Sequence, residues 1–175
     1  IAVIRLPRIS NFTDFNPLQA ISEVSLRYVS RVDQLGSPDL IILPGTKSTM
    51  EDLLWMRQTG LEAAILKHAA KGGPVLGICG GYQMLGQTLR DPEGIEGGGC
   101  LKGIGLLPVD TLFSKTKTRT RVEGTFQQLG GALSGLSGLP VEGYEIHMGQ
   151  TCSNTPMTLV GTCEGKIKPD GATAS

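Results

Sequence analysis

The balanced charge of this 175-residue chain limits its partners, because 16 Lys and Arg residues oppose 16 Asp and Glu residues without a basic block. This balance argues against nucleic acid or an anionic membrane as the main partner. Since no apolar run approaches about 18 residues and no signal peptide is recognisable, we expect a soluble, cytoplasmic protein.

Cysteine and histidine are too sparse to suggest a zinc site. No two cysteines form a C-x-x-C pair and only two histidines are present, so we predict neither a metal site nor a disulfide framework. The cysteines are Cys79, Cys100, Cys152 and Cys163, and the histidines are His68 and His147.

The first half of the chain alternates predicted strands and helices. Most of its strands are short and almost continuously apolar, as in parallel sheets that are covered on both faces, whereas the segment at 24–32 alternates in character. Strands are expected at 1–6, 24–32, 39–43 and 75–78, and helices at 18–23, 49–57, 61–71 and 81–89. This order predicts an α/β fold with a mostly parallel sheet flanked by helices.

The second half predicts β-rich additions. A glycine-rich segment at 91–103 is expected to be mobile, and alternating polar and apolar residues beyond it indicate antiparallel strands. Strands are expected at 106–113, 117–128, 141–149 and 158–163, and loops at 130–138 and 168–175. No second domain boundary is visible. Because the chain begins inside a strand without Met and closes on a loop, we expect a portion of a longer protein.

Cys79 lies between the apolar run at 75–78 and a helical pattern, with glycine at positions 77, 80 and 81. A sharp strand-to-helix turn of this kind is a nucleophile elbow, which exposes one side chain above the sheet edge. The N-terminus of the following helix would favour the thiolate of Cys79, which is the nucleophilic form. The alternative is a glycine-rich turn that carries a buried, inert cysteine.

A second glycine turn, at 44–48, follows the strand at 39–43, at the carboxyl edge where ligands bind in open α/β sheets. Gly45 can present its backbone N–H there without steric cost. Thr46 or Ser48 is expected to cap the next helix. The loop at 7–17 carries polar residues that suit either substrate binding or turn formation. They are Ser10, Asn11, Thr13, Asp14 and Asn16.

These turns resemble those of class I glutamine amidotransferases, which have a flavodoxin-like α/β fold. Within that class, four stretches resemble the cobyric acid synthase family, and the resemblance covers essentially the whole chain. The stretches are 1–15 (IAVIRLPRISNFTDF), 44–57 (PGTKSTMEDLLWMR), 77–83 (GICGGYQ) and 142–149 (EGYEIHMG). The opening stretch is the most specific, because the elbow alone marks only the amidotransferase class.

The resemblance implies that this domain hydrolyses glutamine. Cys79 would attack the side-chain amide and form a thioester. The backbone N–H groups of Gly45 and Gly80 would form the oxyanion hole. Tyr82 and Gln83 would lie near the bound glutamine, although Gln83 also fits an ordinary residue of a first helical turn.

For the whole protein, the resemblance implies a ligase of cobalamin biosynthesis. Ammonia would pass to an N-terminal synthetase domain, absent from this chain, that uses ATP and Mg²⁺ to amidate carboxylates of adenosylcobyrinic acid a,c-diamide. Residues 1–175 would form the glutamine amidotransferase domain, incomplete at its C-terminal end. This domain would need no cofactor of its own and no nucleic-acid or membrane partner.

Neither histidine fits the expected general base. In the family resembled, the base lies in a later Gly-Thr-Tyr-Leu-His-Gly stretch, and nothing like it occurs between Gly149 and Ser175. We therefore interpret His147 as a site-lining or structural residue, with catalytic base as its alternative, and His68 as a surface residue. The base is expected beyond Ser175.

Three other functions remain open from the sequence. A class I amidotransferase that acts on a cell-wall precursor would share the elbow but lack the opening stretch. A non-catalytic amidotransferase-like module that binds a partner or an acyl ligand would have an unreactive Cys79. A cysteine hydrolase with a similar elbow would show no selectivity for glutamine.

Overall fold

A computed structural model describes residues 1–162 and 167–174 of the chain. The chain folds into two compact units, Ile1–Leu85 and Gly86–Ser175. Each unit has a sheet of its own. The sequence shows no boundary at this point, because only two residues separate helix α5 (Gly80–Leu85) from the strand that follows it.

The first unit contains the parallel sheet. Its strands are β1 (Ala2–Ile4), β2 (Arg27–Val29), β3 (Ile41–Leu43) and β4 (Val75–Gly77), in the order β2-β1-β3-β4. All neighbouring pairs are parallel, and every residue of β1 and β3 is buried, which explains their uninterrupted apolar sequences. β4 lies at one end of the sheet and is half-buried, not buried as the apolar run suggests. The prediction of an α/β fold with a mostly parallel sheet is confirmed here.

The order of these strands defines where a ligand would bind. From β1, the chain moves to β2 on one side and then to β3 on the other. In open α/β sheets, ligands bind outside the carboxyl ends of the strands at such a reversal. The loops that follow β1, β3 and β4 leave from this edge.

The helices of the first unit agree with prediction most closely at α3. This helix, α3, covers Thr49–Gln58. The other helical segments are a 3-10 turn (Phe12–Phe15), α1 (Asn16–Gln19), α2 (Val32–Leu35), α4 (Leu61–Ala69) and α5. Ser48 occupies the N-cap position of α3, but its hydroxyl donates to Glu51 Oε2 at 3.1 Å and makes no capping hydrogen bond. Among the described residues, no helix combines the length and the apolar content needed to cross a membrane.

The second unit contains a mixed, mainly antiparallel sheet. Its order is β10-β9-β7-β5-β6, with β8 paired to β7, and only β5 and β7 run parallel. The strands are β5 (Thr88–Asp91), β6 (Gly99–Lys102), β7 (Asp110–Phe126), β8 (Pro140–Cys152), β9 (Thr158–Thr162) and β10 (Ile167–Asp170), and a 3-10 helix spans Gly131–Leu136. This unit forms the expected β-rich addition.

Several boundaries predicted in this region are wrong. The helix predicted at 81–89 ends at Leu85, because Thr88 and Leu89 pair with both β6 and β7. The strands predicted at 106–113 and 117–128 are one strand, β7, whose register shifts between Phe113 and Thr118. The loop predicted at 168–175 contains β10, where a proline is tolerated because β10 is an edge strand. Cys163, the end of a predicted strand, lies outside the described residues.

The glycine-rich segment at 91–103 is organised around one carboxylate. Asp91 is buried and accepts hydrogen bonds from the backbone N–H groups of Ile95, Glu96 and Gly98 at 2.9, 2.6 and 2.7 Å. Burial opposes ionisation of Asp91, but these hydrogen bonds outweigh it and lower the pKa of the carboxyl. The segment expected to be mobile is therefore a bonded turn between β5 and β6.

Candidate active site

Cys79 lies on the turn between β4 and α5, as the sequence predicts. Its backbone φ is 51°, in the left-handed region that non-glycine residues rarely adopt. Its side chain is exposed. Among the described residues, Asn11 is the one other non-glycine residue with positive φ, and it has the same value. The strained turn and the exposed thiol are the features of a nucleophile elbow.

Glycine at two positions makes this turn possible. A Cβ on Gly81 would lie 2.0 Å from the carbonyl oxygen of Leu43, and a Cβ on Gly77 would lie 2.6 Å from Tyr82 Cα. Both distances are far below any van der Waals contact. The turn is also bonded to the end of β3, because the N–H of Ile78 donates to the carbonyl oxygen of Leu43 at 2.9 Å. Close packing against β3 therefore fixes the position of the thiol.

The loop after β3 brings Gly45 beside this thiol. A Cβ on Gly45 would lie 3.6 Å from Cys79 Cβ, and a Cβ on Gly80 would lie 2.8 Å from Thr46 Cγ2. Within the described residues, no hydrogen bond uses the backbone N–H of Gly45 or of Gly80. The ends of two successive strands thus bring two glycines whose backbone N–H groups have no partner close to Cys79. An oxyanion hole needs such donors to converge on one point, and their convergence here stays a prediction.

A buried carboxylate joins the loop after β1 to the loop after β3. Asp52, in the first turn of α3, is fully buried. Its carboxylate accepts hydrogen bonds from the backbone N–H of Arg8 at 3.1 Å, from the Arg8 guanidinium at 3.3 Å and from the Thr46 hydroxyl at 2.5 Å. The Arg8 guanidinium also pairs with Glu51 at 2.6 Å. A buried carboxylate with several donors is stable only while those donors stay in place, so Asp52 fixes both loops.

This network is not recognisable from the sequence. Glu51 and Asp52 fit acidic residues of a helical first turn, which any helix at this position would favour. Nothing local connects Arg8 with a helix more than forty residues later. The available signal is the pair of acidic residues that follows a predicted site loop within a few positions.

The two residues predicted to lie near bound glutamine differ in their surroundings. Gln83 is 6 % exposed, and its side-chain oxygen accepts a hydrogen bond from the Thr49 hydroxyl at 3.3 Å. Thr49 Oγ in turn lies 3.1 Å from the position of a Cβ on Gly80. Gln83 therefore connects α5 to α3 behind Gly80. Tyr82 is half-buried, and its backbone packs on Gly77. A contact of either residue with glutamine stays a prediction.

His147 belongs to the second unit, where its ring is already engaged. His147 Nε2 lies 2.7 Å from Glu145 Oε1, and Lys168 Nζ donates to the same carboxylate. His147 Nδ1 is buried without a hydrogen-bond partner among the described residues. Burial opposes ionisation of Glu145, but the hydrogen bonds from Lys168 and His147 outweigh it and lower the pKa of Glu145. This cluster fits a structural role for His147.

His68 is less exposed than its surface interpretation implies. It is half-buried near the end of α4, and its Nε2 lies 3.2 Å from the carbonyl oxygen of Pro74. The ring occupies the space beside Gly73, where a Cβ would lie 2.2 Å from Nε2. His68 thus joins α4 to the residue that precedes β4.

A model of the CobB/CobQ-like glutamine amidotransferase domain matches residues 1–175. The chain belongs to this family. Membership in the CobB/CobQ-like family confirms the resemblance seen in the turns, and the chain is therefore a glutamine amidotransferase domain.

Curated relatives of this CobB/CobQ-like domain include two cobyric acid synthases. The protein from Ruminiclostridium cellulolyticum is 59% identical over 177 residues, which covers 98% of this chain and 34% of that protein. The protein from Lachnoclostridium phytofermentans is 58% identical over 151 residues, which covers 86% of this chain and 29% of that protein. The chain spans about a third of the length of the curated relatives it matches.

Solved structures with the same fold are also similar to this chain. The structure titled PurLQS from Thermotoga maritima has a TM-score of 0.61 at 19% identity, over 98% of this chain and 76% of that chain. A structure titled glutamine amidotransferase has a TM-score of 0.58 at 14% identity, over 91% of this chain and 84% of that chain. At these identities the similarity concerns the fold alone.

Proposed function

We propose that this domain hydrolyses glutamine through a thioester on Cys79 and supplies the ammonia to cobyric acid synthase. The observation that carries the proposal is the strained, exposed Cys79 beside Gly45. The high identity of cobyric acid synthases over nearly the whole chain supports the specific substrate.

The first chemical step is attack of the Cys79 thiolate on the carboxamide carbon of glutamine. The negative charge that develops on the amide oxygen would be stabilised by the N–H groups of Gly45 and Gly80. These donors need no reorganisation at the moment of reaction, because Asp52 and Thr46 hold one loop and the elbow holds the other. Collapse of the tetrahedral intermediate breaks the C–N bond, and protonation releases ammonia.

The second step regenerates the thiol. Water attacks the thioester carbonyl, and the same two N–H groups would stabilise the new oxyanion, so glutamate leaves and the Cys79 thiol is regenerated. Both steps need a group that moves protons between sulfur, nitrogen and water. We assign this task to a group other than His147, since Glu145 holds Nε2 of its ring and Nδ1 is buried.

In the full-length enzyme, ammonia would amidate corrin carboxylates at a separate ATP- and Mg²⁺-dependent synthetase domain. Residues 1–175 would serve as the glutaminase part of this cobalamin-biosynthetic ligase, with adenosylcobyrinic acid a,c-diamide as the acceptor. Support for this arrangement comes from the length of the curated relatives, of which this chain covers about a third.

The test compares two nitrogen sources in the full-length enzyme. Cys79→Ser should reduce glutamine-dependent amidation of the corrin substrate by at least roughly a thousandfold, as expected when a nucleophile is removed. Amidation with ammonium chloride should be unchanged, because the synthetase site is separate. Cys100→Ser is the matched control, since Cys100 is exposed on β6.

Two results would contradict the proposal. Retained glutamine-dependent amidation in Cys79→Ser would remove the nucleophile assignment. Normal glutaminase activity without amidation of the corrin substrate from either nitrogen source would leave the hydrolysis but overturn the acceptor.

A further inference from the structure

The loop after β1 places a hydroxyl group next to the Cys79 turn. The backbone N–H of Ser10 donates to the carbonyl oxygen of Gly45 at 2.9 Å. Ser10 Oγ lies 2.9 Å from the position that a Cβ on Gly45 would occupy, and Cys79 Cβ lies 3.6 Å from the same position. The Ser10 hydroxyl and Cys79 therefore both border the space beside Gly45.

This hydroxyl is available to a ligand. Ser10 is half-buried, and no hydrogen bond of the described residues uses its Oγ. A serine hydroxyl offers one donor and two acceptor positions, whereas a carboxamide offers an oxygen acceptor and N–H donors. The two groups are complementary in either orientation.

The backbone around Ser10 is held firmly. Ile9 forms an antiparallel bridge with Thr46, and the N–H of Arg8 is bonded to buried Asp52. Asn11, directly after Ser10, has the same left-handed φ of 51° as Cys79. Backbone strain of this kind persists only where surrounding structure imposes it, and it concentrates at functional sites. Here one of the two strained non-glycine residues is Cys79 itself, and the other directly follows Ser10 in the chain.

We propose that Ser10 Oγ hydrogen-bonds the side-chain carboxamide of glutamine while Cys79 attacks it. The inference rests on the proposed glutaminase function and adds a substrate contact from a third loop. Ser10 is the residue that touches substrate, and Asp52 and Arg8 are positioning residues that hold its loop. A half-buried hydroxyl in this position also favours a carboxamide over analogues that cannot hydrogen-bond.

The test uses Ser10→Ala in the full-length enzyme, with Ser37→Ala as a matched control that removes an exposed serine hydroxyl from another loop of the first unit. Ser10→Ala should lower kcat/KM for glutamine about 10- to 100-fold, the usual effect of losing one hydrogen bond to the reacting group. Ser37→Ala should leave kcat/KM unchanged. Alkylation of Cys79 by iodoacetamide and the unfolding temperature should match wild type in both variants.

The possible outcomes distinguish the Ser10 contact from the glutaminase function on which it depends. Equal kcat/KM for Ser10→Ala and Ser37→Ala would overturn the Ser10 assignment and leave the glutaminase intact. A parallel fall in glutamine turnover, iodoacetamide alkylation and unfolding temperature would also overturn it, because Ser10 would then act only on the structure of the loop. A wild-type enzyme that hydrolyses no glutamine would overturn both the proposed function and this contact.

Discussion

The two units use their polar groups in opposite ways. In the first unit, backbone donors of Gly45 and Gly80 are left unbonded beside an exposed thiol. In the second unit, the buried carboxylates of Asp91 and Glu145 are satisfied internally by three backbone N–H groups and by a lysine and a histidine, respectively. A histidine–carboxylate pair is therefore weak evidence of a catalytic site by itself. Backbone donors without a partner beside a reactive atom are stronger evidence.

The largest expected effect tests the close packing that creates the elbow. Gly81→Ala places a Cβ 2.0 Å from the carbonyl oxygen of Leu43, which is backbone and cannot move aside. We expect a loss of more than about 3 kcal/mol in the free energy of unfolding, as for severe overpacking. Urea unfolding followed by circular dichroism measures it.

The control for this prediction comes from the second unit. Gly143, on β8, has open space where its Cβ would lie and needs no positive φ. Gly143→Ala should change the free energy of unfolding by less than about 0.5 kcal/mol. Similar losses in the two variants would show that the packing of Gly81 on β3 has no special role.

The next effect concerns the bond between Thr46 and Asp52. Thr46→Val keeps the shape of the side chain but removes the hydroxyl, so buried Asp52 loses a donor. We expect a loss of about 2 kcal/mol in the free energy of unfolding and at least roughly a tenfold loss in kcat for glutamine. Thr46→Ser keeps the hydroxyl and should stay close to wild type in both measurements. Equal behaviour of the valine and serine variants would contradict a positioning role for Asp52.

A third prediction addresses the turn between β5 and β6. Asp91→Asn removes the charge that three backbone N–H groups share, so the free energy of unfolding should fall by about 2 kcal/mol. Asp110→Asn, at an exposed carboxylate, should have little effect. Glutamine turnover by the folded fraction should not change with either variant, since Asp91 belongs to the second unit.

The pH dependence of this stability has a definite sign. Because the folded-state pKa of Asp91 is lowered, its contribution is complete above the ordinary carboxyl range and disappears as pH falls through the folded-state pKa. Acid titration of the unfolding free energy should therefore be flatter in Asp91→Asn than in wild type. Identical acid profiles would contradict the role given to this carboxylate.

The last prediction concerns the contribution of His147 to catalysis. Loss of a true general base costs roughly 10²- to 10⁴-fold. Because Glu145 holds Nε2 and Nδ1 is buried, His147→Ala should reduce glutamine turnover by less than about tenfold. Rates of the variant and wild type at saturating glutamine provide the measurement. A loss of a hundredfold or more in a normally folded variant would identify His147 as the base after all.

The accuracy of the sequence predictions follows the range of the interactions involved. The strands β1, β3 and β4 and the Cys79 turn are recognisable because apolar runs and glycines define them locally. The strand β10 is not recognisable from the sequence, because Pro169 is typical of a loop. It is part of a strand only because β10 pairs with β9 in the folded protein. Similarly, the helical pattern after Cys79 continues into Thr88 and Leu89. These residues belong to β5 because they pair with β6 and β7.

The site shows the same limit. Cys79 and Gly45 could be proposed from motifs, because each follows a predicted strand directly. Asp52 could not, since its importance depends on Arg8, which lies far away in the chain and reaches α3 only in the folded sheet. Gln83 was predicted to lie near the substrate, yet its amide oxygen bonds Thr49, a contact between helices that no spacing reveals.

The central claim is that Cys79 alone among the cysteines is a nucleophile set in a glutamine site. The most direct measurement is labelling with a diazo-ketone analogue of glutamine, followed by peptide mass spectrometry of the four positions, with and without competing glutamine. We expect Cys79 to be labelled fastest and glutamine to protect it from labelling. Preferential labelling of Cys100, Cys152 or Cys163, or labelling of Cys79 that glutamine does not slow, would contradict it.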